Sequence, residues 1–293
     1  MDQQWIDLNS PTKEEIDSLI LTENLDPIIA KDLLLPTPTQ YTETRDNMIY
    51  TVLHLPSIKQ PNALSDVKEI DFVITPNSLI TTRYDSIDAL HYFAKQVEVS
   101  EILNRGENIH LFFGIIREIY KSVIDELAYM HDWLEEIEKN IFEGQEKAMV
   151  FSISSASRNL LNFKKILDPH GAVFDSLKEI SEEKFGKNFQ NQMKTLIEEW
   201  RRIIKTINNQ LELTAELRET NNAMLSTKQN ETMKVLTIMA FVTFPLSLIA
   251  AIFGMNTNYL PIVGSQFDFW IVMGIMSMLS IIMFIFFKYK DWI

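Results

Sequence analysis

Two long apolar runs constrain this sequence more than any other feature. Val235–Phe253, VLTIMAFVTFPLSLIAAIF, carries no charge. Phe267–Phe287, FDFWIVMGIMSMLSIIMFIFF, carries one, on Asp268. A helix rises about 1.5 Å per residue, so each run is long enough to cross about 30 Å of hydrocarbon. A buried core helix is the competing reading. Two such runs in tandem, with no amphipathic partner after them, favour two membrane spans, at about 235–253 and 267–287.

The remaining charge is segregated from these runs. Asp and Glu total 40 and Lys and Arg 27, a net charge of −13 over 293 residues. Nearly all of these residues precede Val235. This pattern predicts a large acidic, water-soluble part followed by a membrane part. The acidic balance argues against a nucleic-acid partner, which requires a basic face. It suits cations, and it also serves plain solubility. The sequence has no cysteine, which excludes disulfides, thiolate metal sites and thiol catalysis. The start, MDQQWIDLNSPTKEE, has neither the basic nor the apolar segment of a secretory signal.

Basic residues set the expected orientation. Lys228 and Lys234 precede the first span, Lys288 and Lys290 follow the second, and the connecting loop, about 254–266, has no Lys or Arg. The positive-inside rule then puts both termini in the cytoplasm of a two-span protein of the cell (inner) membrane. Trp270 and Trp292 stand near opposite ends of the second span, where interfacial aromatics belong. Pro245 interrupts the hydrogen-bond ladder of the first span, as in helices that kink or pack around a pathway. Two helices per chain cannot enclose a polar conduit, so a conducting assembly would be an oligomer about a shared axis.

The soluble part reads as mixed α/β up to about residue 105. Gln4–Leu8, Asn47–Leu55, Glu69–Pro76 and Ser78–Tyr84 have strand composition, and the last two form a hairpin through a Pro76-Asn77 turn. Ser10 is the expected cap of a first helix, with Pro11 at its first position. Pro36 and Pro38 mark a loop after IIAKDLLL. From 106 to 232 the pattern is helical. One helix is expected over Asn108–Phe142, a second over Lys147–Leu167, and a third after Gly186. Between Lys187 and Phe244 there is neither Gly nor Pro, and Met193, Leu196, Ile197, Trp200, Ile203, Ile204, Ile207 and Leu211 form one apolar stripe. A single helix running from the cytoplasm into the membrane is the simplest reading. Arg218–Lys234 is rich in Asn, Thr and Ser, as befits either a solvated helix face or the wet mouth of a pore.

The segment NETMKVLTIMAFVTFPLSLIAAIFGMN, followed by YLP and a second span ending KYKDWI, resembles the CorA family of divalent-cation transport proteins. The Met-Lys-Val-Leu-Thr segment, the Pro within the span and the Gly-Met-Asn triplet agree in spacing, and the layout of the whole chain agrees. The resemblance implies an α+β membrane protein: an α/β cytoplasmic domain (1–105), a helical domain with a long stalk (106–232) and a transmembrane domain (233–293). It implies a homopentameric funnel in the lipid bilayer whose first spans line the pore. It also implies Mg²⁺ as substrate, with Co²⁺ or Ni²⁺ accepted, and no cofactor.

The chemistry of the triplet fits such a role. Mg²⁺ holds its water tightly and prefers oxygen in an octahedron. A ring of Asn256 carbonyls, with backbone carbonyls at Gly254, would accept hydrogen bonds from the ion's hydration water without trapping it. Gly254 also suits a helix end and leaves room near the axis, and Asn256 is equally suited to terminate a helix. The resemblance makes Gly254, Met255 and Asn256 the selectivity filter. It places the pore face on Met233, Leu236, Thr237, Ala240, Phe244 and Ser247, with Met233 and Leu236 as an apolar constriction that closes by excluding water. Phe244 either narrows the pore as an aromatic ring or points into a helix interface.

Two departures from the family pattern stand out. Pro261 is followed by Ile262 where the family often has an acid, so the outer mouth lacks that carboxylate and Asp268 is the single loop acid. The family's regulatory Mg²⁺ ligand matches Asp32, but its stalk partner would fall near Asn191 or Thr195, neither acidic. Glu198, Glu199 and Glu219 are the alternative acids. A zinc transporter of the same architecture is the competing function. The intact triplet favours Mg²⁺, and His54, His91, His110, His131 and His170 show no zinc-ligand spacing. No Gly-rich phosphate loop, His-Glu-x-x-His or nucleophile elbow points to an enzyme.

Overall fold

The computed structural model describes residues 4–45, 47–57, 66–75, 77–99, 108–256, 262, 264, 266–290 and 292. The chain divides into two compact units, Met1–Thr220 and Asn221–Ile293.

The first unit is built on five strands: β1 (Gln4–Asn9), β2 (Tyr41–Arg45), β3 (Met48–Ser57), β4 (Asp66–Ile74) and β5 (Ser78–Arg83). Their order in the sheet is β1-β5-β4-β3-β2, with β1 parallel to β5 and the other pairs antiparallel. Nearly all of β3 is buried on both faces, which explains why MIYTVLHL reads as a continuous apolar run rather than an alternating one. The expected hairpin is present as β4–β5. Thr75 closes it by accepting from Ser78 N at its hydroxyl (2.8 Å) and donating its own N–H to Ser78 O (3.0 Å); Pro76 lies outside the described residues. The strand β2, YTETR, was not expected. It is a polar edge strand, held by its register with β3 and by the hydroxyl contact of Thr42 with Thr51 (2.8 Å).

Two short helices, α1 (Lys13–Thr22) and α2 (Pro27–Asp32), cover one face of the sheet. Ile16, Leu19, Leu25, Ile29 and Leu33 meet Tyr50, Val52, Val73 and Ile80 there. The cap of α1 is Thr12, not Ser10. The Thr12 hydroxyl accepts from Glu15 N (3.3 Å), and the Glu15 carboxylate accepts from Thr12 N (2.8 Å), a reciprocal capping box. Ser10 instead has φ of 51° and donates its N–H to Arg83 O at 2.7 Å. It thus finishes the strand edge, and the helix begins only after Thr12.

The other face carries α3 (Asp88–Val99), α4 (Asn108–Phe142) and α5 (Glu146–Leu167). Phe72 packs edge-on against Phe112 at 5.1 Å, and Trp5 against Phe93 at 5.6 Å. The next helix, α6, runs from His170 to Phe253, so it begins well before the expected start after Gly186. Gly171 is not a helix breaker here. A Cβ at this position would stand 2.4 Å from Trp200 Cη2, so glycine is what lets the indole approach, and Trp200 Nε1 donates to Leu167 O at 2.8 Å. In one straight helix residues 171 and 200 would be about 43 Å apart. The chain therefore reverses between them, and α6 has two arms. Tyr120 meets His170 and Phe174 on the first arm, whereas Phe113 meets Phe189 on the second. The second arm, Lys187–Phe253, is the helix read from the sequence. Its stripe residues Met193, Leu196, Ile197, Ile203 and Ile207 are buried.

The second unit contains the end of α6 and α7 (Asp268–Tyr289). Both helices are apolar enough to cross a membrane, with no part of their most apolar windows buried.

Candidate ion pathway

The last turns of α6 have two different faces. Ile238, Val242, Pro245, Leu246, Ile249 and Phe253 are half-buried. At 100° per residue they fall within an arc of about 100°. On α7, Val272, Met276, Leu279, Met283 and Phe287 form a matching stripe, half-buried except for the buried Phe287. Phe287 lies 6.5 Å from Phe241 across the two helices. These stripes are the surfaces the two helices turn toward each other.

The candidate pore residues Met233, Leu236, Thr237, Ala240, Phe244 and Ser247 occupy the opposite arc of α6, again about 100° wide. Met233, Leu236 and Phe244 are 55%, 54% and 73% exposed. Ser247 is exposed too, and Thr237 and Ala240 are half-buried. Within one chain, then, Phe244 points away from the helix pair. Thr237 donates its hydroxyl hydrogen to Met233 O at 2.7 Å. What it has left to offer is acceptor lone pairs, which suit the hydrogens of water around a cation. Pro245 has no N–H for the carbonyl four residues back, and α6 nonetheless continues to Phe253.

The triplet ends this helix. Gly254 N donates to Ala250 O at 2.9 Å, and Met255 N to Ile252 O at 3.3 Å, so the last turn tightens. The glycines with positive φ among the described residues are Gly144 and Gly264. Left-handed freedom is therefore not what Gly254 supplies. Space is: a Cβ there would lie 3.0 Å from Ala250 O. Met255 is 56% exposed. Asn256 is exposed, and its amide makes no hydrogen bond among the described residues.

The other candidates are less free. In the connecting loop, residues 257–261, 263 and 265 lie outside the described residues, Pro261 among them. Asp268 accepts from Phe269 N (2.7 Å) and Gly264 N (3.3 Å), so the single loop acid is engaged with backbone at the head of α7. Asp32 ends α2 half-buried and accepts from Tyr41 Oη at 3.5 Å. Thr195 donates its hydroxyl to Asn191 O at 3.1 Å. Among the described residues no group of three His, Asp or Glu side chains is placed to hold a metal. His170 is buried between Tyr120 Oη, which donates to Nδ1 (2.8 Å), and His54 O, which accepts from Nε2 (2.9 Å). Burial depresses its pKa to about 4. Sequence reasoning passed over Glu69 and Asp71, an alternating acid pair in residues 69–74, a stretch of β4 that is otherwise apolar. That alternation was the available signal.

A family model described as CorA-like Mg²⁺ transporter protein matches residues 2–289. The chain belongs to the CorA family. A cobalt/magnesium transport protein CorA of Thermotoga maritima is 23% identical over 268 residues, covering 91% of this chain and 76% of that one. The solved CorA magnesium transporter of Methanocaldococcus jannaschii superposes with a TM-score of 0.86 at 23% identity, covering 99% of this chain and 91% of the other. The ZntB cytoplasmic domain of Vibrio parahaemolyticus gives 0.64 at 16% identity, covering 78% of this chain and 89% of its own. These superpositions show a shared fold, and CorA membership rests on the sequence match along nearly the whole chain.

Proposed function

We propose that this CorA-family chain moves hydrated divalent cations, Mg²⁺ first and Co²⁺ or Ni²⁺ as alternatives, through a pore at the axis of a homopentamer. In this reading residues 1–105 and 106–232 are cytoplasmic, 233–293 lie in the bilayer and both termini face the cytoplasm. The protein acts as a transporter rather than an enzyme, with Mg²⁺ as its substrate.

One observation carries the reading. The face of α6 that bears Met233, Leu236, Thr237, Ala240, Phe244 and Ser247 is turned away from α7, and the chain runs on from it to Asn256, whose amide makes no hydrogen bond among the described residues. Copies of α6 brought together on that face would line a channel, with α7 outside. Met233 and Leu236 would form its apolar constriction, closing by dewetting, and Thr237 would supply acceptor oxygens. Gly254, Met255 and Asn256 would form the outer filter, where neutral amide oxygens hold water-clad Mg²⁺ loosely enough to release it. Since Asp268 is engaged with backbone, ion capture at the outer mouth falls to Asn256. Asp32 is retained as the candidate regulatory ligand, with acids of a neighbouring subunit completing its site.

The test is Mg²⁺ entry into liposomes, reported by an internal dye, for wild type and Asn256→Ala, with oligomeric mass measured first. Loss of entry in the variant with its pentamer intact is the expected result. Unchanged entry would remove Asn256 from the filter. Zn²⁺ entry without Mg²⁺ entry would transfer the chain to zinc transport.

A further inference from the structure

The sheet face beneath α2 contains a buried acid pair with no part in the ion pathway. Glu69 and Asp71 alternate on β4, so both carboxyls point to the same face. Their residues are 7% and 0% exposed. Glu69 is well supplied with donors. It accepts from Thr37 N at both oxygens (2.8 and 2.9 Å) and from Thr37 Oγ1 (3.1 Å). His54 Nε2 stands 3.2 Å from Glu69 and 3.0 Å from Thr37 O, and two acceptors require that nitrogen to carry its hydrogen.

Asp71 is supplied on one side only. Its Oδ2 accepts from Thr82 Oγ1 (3.0 Å) and Tyr84 Oη (3.3 Å), while its buried Oδ1 has no hydrogen-bond partner among the described residues. A buried carboxylate oxygen left in this way is costly. A proton on Oδ1, directed at the neighbouring Glu69 carboxylate, removes the problem. Burial first, and the Glu69 charge second, raise the Asp71 pKa to about 8.

The pair is also where the α2 segment is fastened. Tyr84 Oη has one hydrogen and two acceptors, Asp71 Oδ2 and Leu33 O (3.2 Å), the latter at the C-cap of α2. Further along the same segment, Thr37 is held by Glu69. The other titratable groups around Asp71 are the phenols of Tyr41, Tyr50 and Tyr84, on which its charge acts directly, with Asp32 acting on Tyr41 and Tyr50 as well. None of these carries a positive charge, and the imidazole at the pair, His54, turns its Nε2 to Glu69 and Thr37 O rather than to Asp71.

We propose that Asp71 and Glu69 share one proton beneath α2, and that this proton pins the Leu33–Thr37 segment to the sheet. When the proton leaves for a base in solvent, Asp71 carries a second negative charge beside Glu69, and its buried Oδ1 has no donor among the described residues. The segment then lifts to admit water, and Tyr84 and Thr37 release the end of α2. Cytoplasm-side pH thereby sets how often this segment opens.

Hydrogen exchange on the full-length protein in detergent tests the proposal, through the amides of Leu33, Leu34, Leu35 and Thr37, corrected for intrinsic rates. Opening that solvates Asp71 changes its pKa from about 8 toward the ordinary 3.8. Protection should therefore fall about tenfold per pH unit between pH 5 and 7 and level off above about 8. Asp71→Asn, which keeps a donor for Glu69 and cannot ionise, should flatten the profile. Wild-type protection independent of pH, or a variant with the wild-type slope, overturns the proposal. Glu69→Gln gives a second reading should Asp71→Asn not fold. Without the neighbouring charge the levelling-off should move to lower pH, and an unmoved profile would refute the shared proton.

Discussion

Phe112 and Phe244 are both helical phenylalanines, yet one is 0% exposed and the other 73% exposed. Phe112 lies in the first unit, edge-on to Phe72 at 5.1 Å and Phe113 at 5.3 Å. Phe244 lies in the second unit on a face that α7 does not cover. The same contrast holds for polar groups. In the first unit His170 and Glu69 are buried and hydrogen-bonded, whereas in the second the Asn256 amide makes no hydrogen bond among the described residues. The first unit is its own solvent. The second relies on lipid for its apolar side chains and, in the proposed pore, on ions and water for its polar ones.

Truncation should break this contrast most sharply. Phe112→Ala removes a ring from a close-packed core and should cost about 3–5 kcal/mol, read as a drop in the unfolding midpoint of the full chain. A loss below about 1 kcal/mol would mean that the core is not packed as described.

Acid comes next. His170 is fully buried, and its pKa is lowered to about 4 from 6.5. In the unfolded chain it protonates first, so its contribution to stability is complete above pH 6.5 and is lost as pH falls through about 4. The full loss is roughly 3 kcal/mol. His170→Gln should flatten that part of the stability profile. An unchanged slope would assign the acid sensitivity to other groups. Smaller again is Thr12→Ala, which removes one side of the α1 capping box and should cost about 1 kcal/mol. Ser10→Ala should not cost the same, because Ser10 does not cap the helix.

These cases also separate what the sequence discloses from what it conceals. Lipid selects for composition, so both membrane helices were legible as runs, and α4 was legible because its apolar period holds over many turns. Strands β3, β4 and β5 were legible for their β-branched and aromatic content. Edge strand β2 was not, since Thr42, Glu43 and Thr44 carry no apolar alternation and the pairing with β3 decides its conformation. The first arm of α6 was hidden by Asp168-Pro169-His170-Gly171, which reads locally as a break. Gly171 is there for Trp200, a contact too distant along the chain for any local window to contain. At the candidate ion pathway, the triplet and the stripe from Met233 to Ser247 came from the resemblance to the CorA family. That a Cβ at Gly254 would crowd Ala250 O, and that Asp268 is engaged by backbone, depends on geometry a linear pattern does not carry. The Glu69–Asp71 pair was visible as alternation, but its meaning depends on Thr37 and Tyr84, brought in from either side of the sheet.

The smallest expected effect sharpens the contrast best. Phe284 is 54% exposed on α7, and in a bilayer its neighbours on that side are acyl chains. Between an apolar side chain and lipid there is little hydrophobic driving force to lose, because the tails are as apolar as leucine. Phe284→Leu changes shape and volume against a fluid that refills the space, so no cavity persists. The unfolding midpoint of the reconstituted protein should move by less than about 0.5 kcal/mol. The same Phe→Leu change at Phe112 has no such refuge. Its neighbours are fixed side chains at crystal-like density, so the mismatch remains and should cost about 1 kcal/mol or more. Measured as a pair in liposomes, the two substitutions compare the two solvents directly. Equal losses would mean that Phe284 packs against protein, as a neighbouring subunit would provide, and that its face of α7 belongs to an interface rather than to lipid.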